Sequence, residues 1–217
     1  MKKINYNEEY KSFINSLNTK IKPTLFLHAC CGPCLTYPLL ELMKHFKVTV
    51  GFINPNIFPE SEHQLRYDEL KRFVDDINKE SDDKVEVVKY DYDYNTFLKA
   101  IRGHEKDKEG GERCTICHRL RLSESYLYAN THHYDYFTSV MTVSSKKPSE
   151  LINKICFELS LQYPNTKYVP VDFKKEDGTL KGIKICKAHN LYRQDYCGCS
   201  FSKKEREEYL SRKHDIL

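Results

Sequence analysis

Seven of the nine cysteines in this chain of 217 residues fall into three tight groups that lie far apart in the sequence. The groups are Cys30/Cys31/Cys34, Cys114/Cys117 and Cys197/Cys199. A C-x-x-C spacing places two sulfurs within reach of one metal ion or one cluster face. If the groups act together, the fold must bring three distant segments to one place. No other feature of the sequence constrains the fold as strongly.

Seven grouped thiols exceed the requirement of one structural zinc ion. Tetrahedral zinc takes four ligands, so the excess indicates a second metal or a redox-active pair. Gly198 lets the backbone bend between Cys197 and Cys199, so that their side chains can converge. Cys156 and Cys186 lie outside the groups and are interpreted as inert, because a free cysteine is commonly a small buried hydrophobe.

Composition indicates a folded protein in a reducing compartment. The chain is 40% hydrophobic and 30% charged, which is typical of a globular protein. No stretch approaches the roughly 20 apolar residues that span a bilayer, and residues 1–22 lack the apolar core of a signal peptide. We therefore expect a cytoplasmic protein without structural disulfides. The net charge of +4 permits a polyanionic partner without requiring one.

Short apolar runs alternate with helical patterns along most of the chain. Strands are predicted at 24–28, 48–53, 85–90 and 136–140, and helices at 35–46, 61–79, 94–102, 114–128, 150–161 and 203–212. This alternation predicts a single α/β domain over 1–217 with a parallel, doubly wound sheet and helices on both faces. The intervals 103–113 and around Gly178 and Gly182 are predicted to be loops, and 168–173 is less regular.

The first cysteine group follows a predicted strand and precedes a predicted helix. In an open α/β sheet, ligands bind just beyond the carboxyl ends of the strands. A helix N-terminus lowers the pKa of a thiol and favours anionic ligands. Pro33 suits the first turn of such a helix. These signals together predict a thiolate site at this strand end.

Three segments resemble the QueH type of epoxyqueuosine reductase. They are Leu27-His28-Ala29-Cys30-Cys31-Gly32-Pro33-Cys34, Arg113-Cys114-Thr115-Ile116-Cys117 with Arg121-Leu122, and Leu191-Tyr192-Arg193-Gln194-Asp195-Tyr196-Cys197-Gly198-Cys199. The resemblance extends over about 24–202, which we take as the core of the domain. It implies a Rossmann-like (HUP-related) fold with an irregular, cysteine-bearing C-terminal segment.

The same resemblance implies a reaction and its cofactors. The expected reaction removes the epoxide oxygen of epoxyqueuosine in the tRNA anticodon loop to give queuosine. The expected cofactors are a [4Fe-4S] cluster and an adjacent second metal ion, which we expect to be iron. The sequence does not identify the electron donor. Departures from the family pattern are His118, where a tyrosine is common, the looser segment 138–147, and Cys34, where some relatives carry a carboxylate.

All seven grouped cysteines are candidate metal ligands, and all except Cys34 are candidate cluster ligands. One partition gives the cluster Cys114, Cys117, Cys197 and one of Cys30/Cys31, and gives the second ion the other member of that pair, Cys34 and Cys199. This partition rests on the expectation that the adjacent residues Cys30 and Cys31 point in different directions.

The reaction also needs protons and contacts with tRNA. The candidate catalytic residues are Asp195, which lies two residues before Cys197, and then His28 and Tyr192. Asp195 can instead orient a ligand by accepting hydrogen bonds, and His28 can be an ordinary packed histidine. Candidate tRNA contacts are Arg113, Arg119, Arg121 and Arg193 for phosphates and Tyr192 and Tyr196 for base stacking. The arginines can equally balance the charge of the thiolates.

Three other functions are compatible with parts of the sequence. An adenylating enzyme on the same fold needs a phosphate-binding loop after the first strand, but Pro33 lacks a backbone donor there. A non-catalytic electron carrier and a zinc-stabilised nucleic-acid-binding module remain alternatives.

Colour distinguishes these alternatives. We expect the anaerobically purified protein to be brown and to absorb broadly near about 400 nm, because iron–sulfur clusters do so. Absorption spectra combined with metal analysis make this test. Colourless protein that contains a single zinc ion contradicts the expectation and favours the binding module.

Overall fold

A sheet of five parallel strands forms the centre of the molecule. The computed structural model describes residues 4–17 and 20–214. Its strands are β1 (Thr24–His28), β2 (Lys47–Phe52), β3 (Glu86–Lys89), β4 (Tyr136–Ser139) and β5 (Lys167–Tyr168). Their order is β3-β2-β1-β4-β5, and every pairing is parallel. This is the order of a doubly wound sheet, so the predicted fold class is confirmed.

Helices cover both faces of this sheet. They are α1 (Tyr6–Ser16), α2 (Gly32–Leu42), α3 (Glu60–Glu80), α4 (Tyr94–Ala100), α5 (Glu112–Thr131), α6 (Ser149–Ser160), α7 (Gly178–Ala188) and α8 (Ser200–His214), with a 3-10 helix at Val140–Val143. Leu25 and Leu27 of β1 pack into one core with α2 and α3, whereas Phe26 packs into another with α5 and α6. Successive strand residues point to opposite faces, so the sheet is buried on both sides.

The helices show no membrane-spanning character. Within the described part of the chain, none combines the length and the apolar composition needed to cross a bilayer.

Helix α7 corrects one sequence prediction, because the segment around Gly178 and Gly182 is helical and not a loop. Both glycines allow a close approach. A Cβ atom on Gly178 would lie 2.0 Å from the carbonyl oxygen of Phe173, and one on Gly182 would lie 3.3 Å from Thr36 Oγ1 of α2. Glycine ordinarily disfavours a helix. Here the tertiary contact requires it, and a local pattern does not show that requirement.

The strand order reverses at β1, which has β2 on one side and β4 on the other. The chain leaves β1 through residues 29–31 into α2, and it leaves β4 through the 3-10 helix and residues 144–148. The carboxyl ends of these two strands meet at one edge of the sheet. Such a reversal point is where doubly wound folds open a ligand crevice.

Gly51 of β2 provides a test of this packing. A Cβ atom at this position would lie 2.3 Å from Cζ of Phe26 in the neighbouring strand β1. We therefore expect Gly51→Ala to lower the free energy of unfolding by about 1–3 kcal/mol through overpacking. Chemical denaturation measures this loss. Adding Phe26→Leu should recover part of it, whereas strictly additive losses in the double variant would contradict the proposed contact.

Candidate metal centre

Cys30, Cys31 and Cys34 bring three sulfurs within 4.8 Å of one another. The Sγ atoms of Cys30 and Cys31 are 3.8 Å apart. Cys31 is the N-cap of α2 and has an extended backbone, with φ −175° and ψ 164°. Pro33 lies in the first turn of that helix, as predicted. The expectation that the adjacent cysteines point in different directions is wrong, because their sulfurs converge.

The spacing of this triad suits one metal ion. A tetrahedral ion with metal–sulfur bonds of about 2.3 Å holds its ligand sulfurs about 3.8 Å apart. A cubane cluster separates its thiolate ligands more widely, because each of them binds a different iron. The sulfurs of Cys30, Cys31 and Cys34 therefore fit a mononuclear site with three protein ligands.

The other four grouped cysteines meet a short distance away. Cys114 and Cys117 of α5 and Cys197 and Cys199 of the irregular segment before α8 line one small cavity of about 20 Å³. Gly198 has a φ of 146°, a conformation that favours glycine, and thereby turns the chain between the last two cysteines. Among the described residues, no three of these four sulfurs lie within 4.8 Å of one another. This wider spacing is compatible with a cluster.

Cys197 connects the two groups. It also lines a larger cavity of about 270 Å³, together with Cys30 and Cys34. The three distant segments thus bring their sulfurs to one edge of the sheet, beside the carboxyl ends of β1 and β4. This convergence meets the requirement that the sequence imposes.

Hydrogen bonds among the side chains of Cys30, Cys31 and Cys34 shift the pKa values of all three. Hydrogen bonds from Cys31 and Cys34 hold the pKa of Cys30 well below its usual value. The hydrogen bond between Cys31 and Cys30 raises the pKa of Cys31 to about 12. The hydrogen bonds of Cys34 with Cys30 and Cys31 raise the pKa of Cys34. The amide of Gln194 also donates to Cys31 Sγ at 3.0 Å. One thiolate is therefore stabilised by two thiols, and a bound cation would favour ionisation of all three.

Buried cations surround the sulfurs. The guanidinium of Arg121, 2% exposed, donates to Asn54 Oδ1 at 2.6 Å. Arg66, 1% exposed, donates to the carbonyl oxygen of Cys197 at 2.9 Å. Both side chains lie close enough to the cysteines to favour thiolates. Arg66 already has a counter-charge, because its Nε lies 2.7 Å from the carboxylate of Glu62. Arg121 forms no ion pair with a carboxylate among the described residues. Since burying a cation without a counter-charge is costly, Arg121 favours an anionic state of the neighbouring sulfurs.

Lys147 differs from the two arginines because its buried ammonium has no hydrogen-bond or ion-pair partner among the described residues. It is 6% exposed, lies in the loop after β4 and lines the larger cavity with the sulfurs. Burial lowers the pKa of Lys147, but the negative charge of the Cys197, Cys30 and Cys34 thiolates outweighs that effect and raises it. Lys147 therefore remains charged and faces the sulfurs.

Of the three candidate catalytic residues, Asp195 lies closest to the larger cavity, because it forms part of its wall. It accepts a hydrogen bond from Arg206 Nε at 2.9 Å. His28 is fully buried, and its Nδ1 lies 2.8 Å from Ser139 Oγ. Burial lowers the pKa of His28 to about 3, so its ring is neutral. The hydroxyl of Tyr192 donates to the carboxylate of Glu62, and Tyr192 lines neither cavity.

The four candidate arginines separate into different roles. Arg113 and Arg121 are buried, which leaves them unsuited to phosphates and suited to charge balance. Arg119 forms an ion pair with Glu158 at 2.5 Å. Arg193 is exposed and is the one member of this set that lines the larger cavity. Tyr196 also lines that cavity.

The sequence and its arrangement of cysteines match one protein family. The model for "Epoxyqueuosine reductase QueH" matches residues 25–205. This chain belongs to the QueH family. The QueH epoxyqueuosine reductase of Staphylococcus epidermidis is 38% identical over 203 residues, which cover 92% of this chain and 85% of that protein. The QueH protein of Streptococcus pyogenes is 35% identical over 93% of this chain and 79% of that protein.

One solved structure has a weaker similarity to this QueH family member. The U34-tRNA thiolase NcsA from Methanococcus maripaludis, solved with its [4Fe-4S] cluster, aligns with a TM-score of 0.49 and 14% identity. The alignment covers 96% of this chain and 73% of the thiolase. No functional conclusion follows from similarity at this level.

Two residues of this QueH site have no role in the sequence-based prediction. Gln194 lies inside the third motif, but only the structure shows that its amide reaches Cys31. Lys147 lies in the segment that departs from the family pattern, and it carries no motif of its own. The available signal was its position after β4, the strand beside β1. A charged residue at that crevice is a candidate for ligand contact.

We expect Lys147→Met to weaken metal binding by about 10-fold or more, because its ammonium compensates the negative charge of the thiolates. Iron content and absorption of the anaerobically reconstituted protein measure this effect. Lys146→Met is the matched control, since that exposed neighbour pairs with Glu109. Equal iron loading in both variants would contradict the assigned role of Lys147.

Proposed function

We propose that this chain is an epoxyqueuosine reductase that converts epoxyqueuosine in tRNA to queuosine at a thiolate-held metal centre. One observation carries the proposal: three cysteine groups from distant parts of a QueH-family chain converge at the reversal point of the sheet. A purely structural zinc site needs only four of these seven thiols. We place the reaction in the cytoplasm, with tRNA as the macromolecular partner.

The sulfur spacing supports a partition that differs from the one based on sequence. We assign Cys30, Cys31 and Cys34 to a single ion and Cys114, Cys117, Cys197 and Cys199 to a [4Fe-4S] cluster. When bound, the cluster supplies electrons singly, and the ion, which we propose to be iron, acts as a Lewis acid toward the epoxide oxygen. With three protein ligands, that ion would keep an open coordination position, as catalytic metal sites require.

The larger cavity offers the place for the modified base. Its wall includes Cys30 and Cys34 as well as Asp195 and Tyr196. The guanidinium group of Arg66 lies over the ring of Tyr196, with its central carbon 5.0 Å from the ring centroid, and this cation–π contact restrains the ring. We propose that this ring stacks on the base, because an unstacked nucleobase is commonly bound by an aromatic face.

The reaction consumes two electrons and two protons and yields an alkene and water. A low-potential donor protein or reductant would have to supply the electrons, which the four cysteines of the proposed cluster site would receive through the cluster that they hold. We propose that Asp195 acts in proton transfer or orients the substrate, because it borders the cavity. His28 lies buried beside Ser139, and Tyr192 is bound to Glu62, so these two candidates rank below Asp195.

Cysteine variants test the proposed function. In anaerobic incubations with epoxyqueuosine-containing tRNA and a strong reductant, we expect Cys117→Ala and Cys199→Ala to abolish queuosine formation. Each of these variants removes a sulfur from the proposed cluster site. Nucleoside analysis of the recovered tRNA measures the product.

Cys156→Ala is the control, because Cys156 is buried in the core with α6 and lies outside both sites. It should retain conversion. Full conversion by the Cys117 and Cys199 variants would remove the basis of the ligand assignment, and no conversion by the wild-type protein would reject the function.

A further inference from the structure

The positive charge of this protein is concentrated in one short segment. Residues 174–193 contain six lysines and arginines and two acidic residues, so the segment carries a formal charge of +4. The whole chain also carries +4. The remainder is therefore balanced between acidic and basic residues. A surface that concentrates the net charge beside a cavity is a candidate for binding a polyanion.

Helix α7 places this charge next to the larger cavity. Thr179, Gly182 and Ile183 of α7 form part of the cavity wall. Lys184 and Lys187 are exposed on the same helix, and their separation of three residues corresponds to about 4.5 Å along the helix axis. Neither lysine forms part of the cavity wall, so both lie on other faces of the helix that borders the cavity.

These cations lack protein counter-charges. Lys175, Lys184, Lys187 and Arg193 form no ion pair with any residue that the structure describes, and we call these four residues the α7 surface. Helix α8 differs, because Lys203 and Lys204 pair with Glu207 and Glu208, four residues later. The acidic residues closest in sequence to α7 are Glu176 and Asp177, and Glu176 is already bound by Lys11. The charge of the α7 surface is thus available to a partner.

The groove that adjoins the cavity at Lys146, Asp195 and Tyr196 does not offer such a surface. This open groove is lined by nearly equal numbers of acidic and basic side chains. Lys146 in this groove pairs with Glu109, and Arg206 pairs with Asp195. A phosphate backbone that approached along the groove would meet carboxylates. The distribution of charge therefore favours approach along α7.

We propose that the α7 surface binds the phosphate backbone of the anticodon stem while the modified base enters the larger cavity. This inference rests on the proposed function for its partner, since a tRNA substrate must present its backbone near the base that reacts. The contacts are electrostatic and independent of nucleotide sequence, because lysine ammonium groups bind phosphates as point charges. The α7 surface sets the affinity for tRNA and takes no part in the chemistry.

The salt dependence of tRNA binding tests this inference. We expect Lys184→Gln/Lys187→Gln to weaken binding about 10-fold or more at 0.1 M salt, and to make the slope of log affinity against log salt shallower by about 1.8, because each lost phosphate contact removes about 0.9. Binding is measured by fluorescence anisotropy, with the holoprotein and labelled, unmodified tRNA of the same anticodon. In turnover assays KM should rise while kcat stays unchanged.

Two further variants serve as controls. Lys47→Gln/Lys167→Gln removes two exposed charges at the amino ends of β2 and β5, the edge of the sheet opposite the site, and should leave both affinity and slope unchanged. Lys184→Arg/Lys187→Arg keeps the charge and should restore binding. Iron content should be the same in all of these proteins.

The outcomes separate this inference from the proposed function. Unchanged affinity and slope in the Lys184/Lys187 glutamine variant would overturn the assignment of the α7 surface, even if the protein reduces epoxyqueuosine normally. An equal loss of affinity in the Lys47/Lys167 variant would also overturn it, because the effect would then reflect net charge alone. Failure of the wild-type protein to reduce epoxyqueuosine rejects the function, while the binding data still decide the surface.

Discussion

The electrostatic balance between buried cations and sulfurs is the interaction on which this site depends. Arg66, Arg121 and Lys147 are nearly excluded from solvent, and the ammonium of Lys147 has no protein hydrogen bond among the described residues. Isolated charges in a protein interior cost several kcal/mol each, about the scale of a domain's whole stability. The carboxylate of Glu62 provides a counter-charge for Arg66, and ionised thiolates would provide one for Arg121 and Lys147. Because thiolates persist when metal replaces their protons, metal binding and the stability of this edge of the sheet are coupled.

The need to balance charge around the sulfurs also explains why helix α5 buries polar side chains. Its buried face carries polar residues, including Arg113, His118 and Arg121, whereas the apolar Leu127 is exposed. An ordinary surface helix buries an apolar stripe. Helix α5 instead turns its polar and thiol side chains inward to the site. Hydrophobic periodicity therefore locates this helix within about three residues at each end, but it does not indicate which face is buried.

The sheet could be predicted from the sequence because its central strands are short, largely apolar runs, such as residues 24–28, that alternate with helical patterns. Such runs are typical of strands in a sheet buried on both faces. The cysteine groups could be predicted as one site because spacing and a strand end are local signals. The convergence of the sulfurs of Cys30 and Cys31 could not be predicted from the sequence, since it depends on the extended N-cap backbone of Cys31. Lys147 and α7 were missed because their roles depend on neighbours distant in sequence.

The cations of this protein fall into an exposed set and a buried set, which differ in how strongly salt screens their charge. The α7 surface is exposed, so its field is screened within about 8 Å at physiological ionic strength. The buried cations near the sulfurs are shielded from that screening. Salt should therefore weaken the attraction of tRNA while leaving the charge balance of the metal centre nearly constant. Arg193 is an exposed member of the α7 surface that also forms part of the cavity wall. Among the four residues of the α7 surface, Arg193 alone lines the cavity proposed for the base, so it joins the exposed phosphate-binding surface to that cavity.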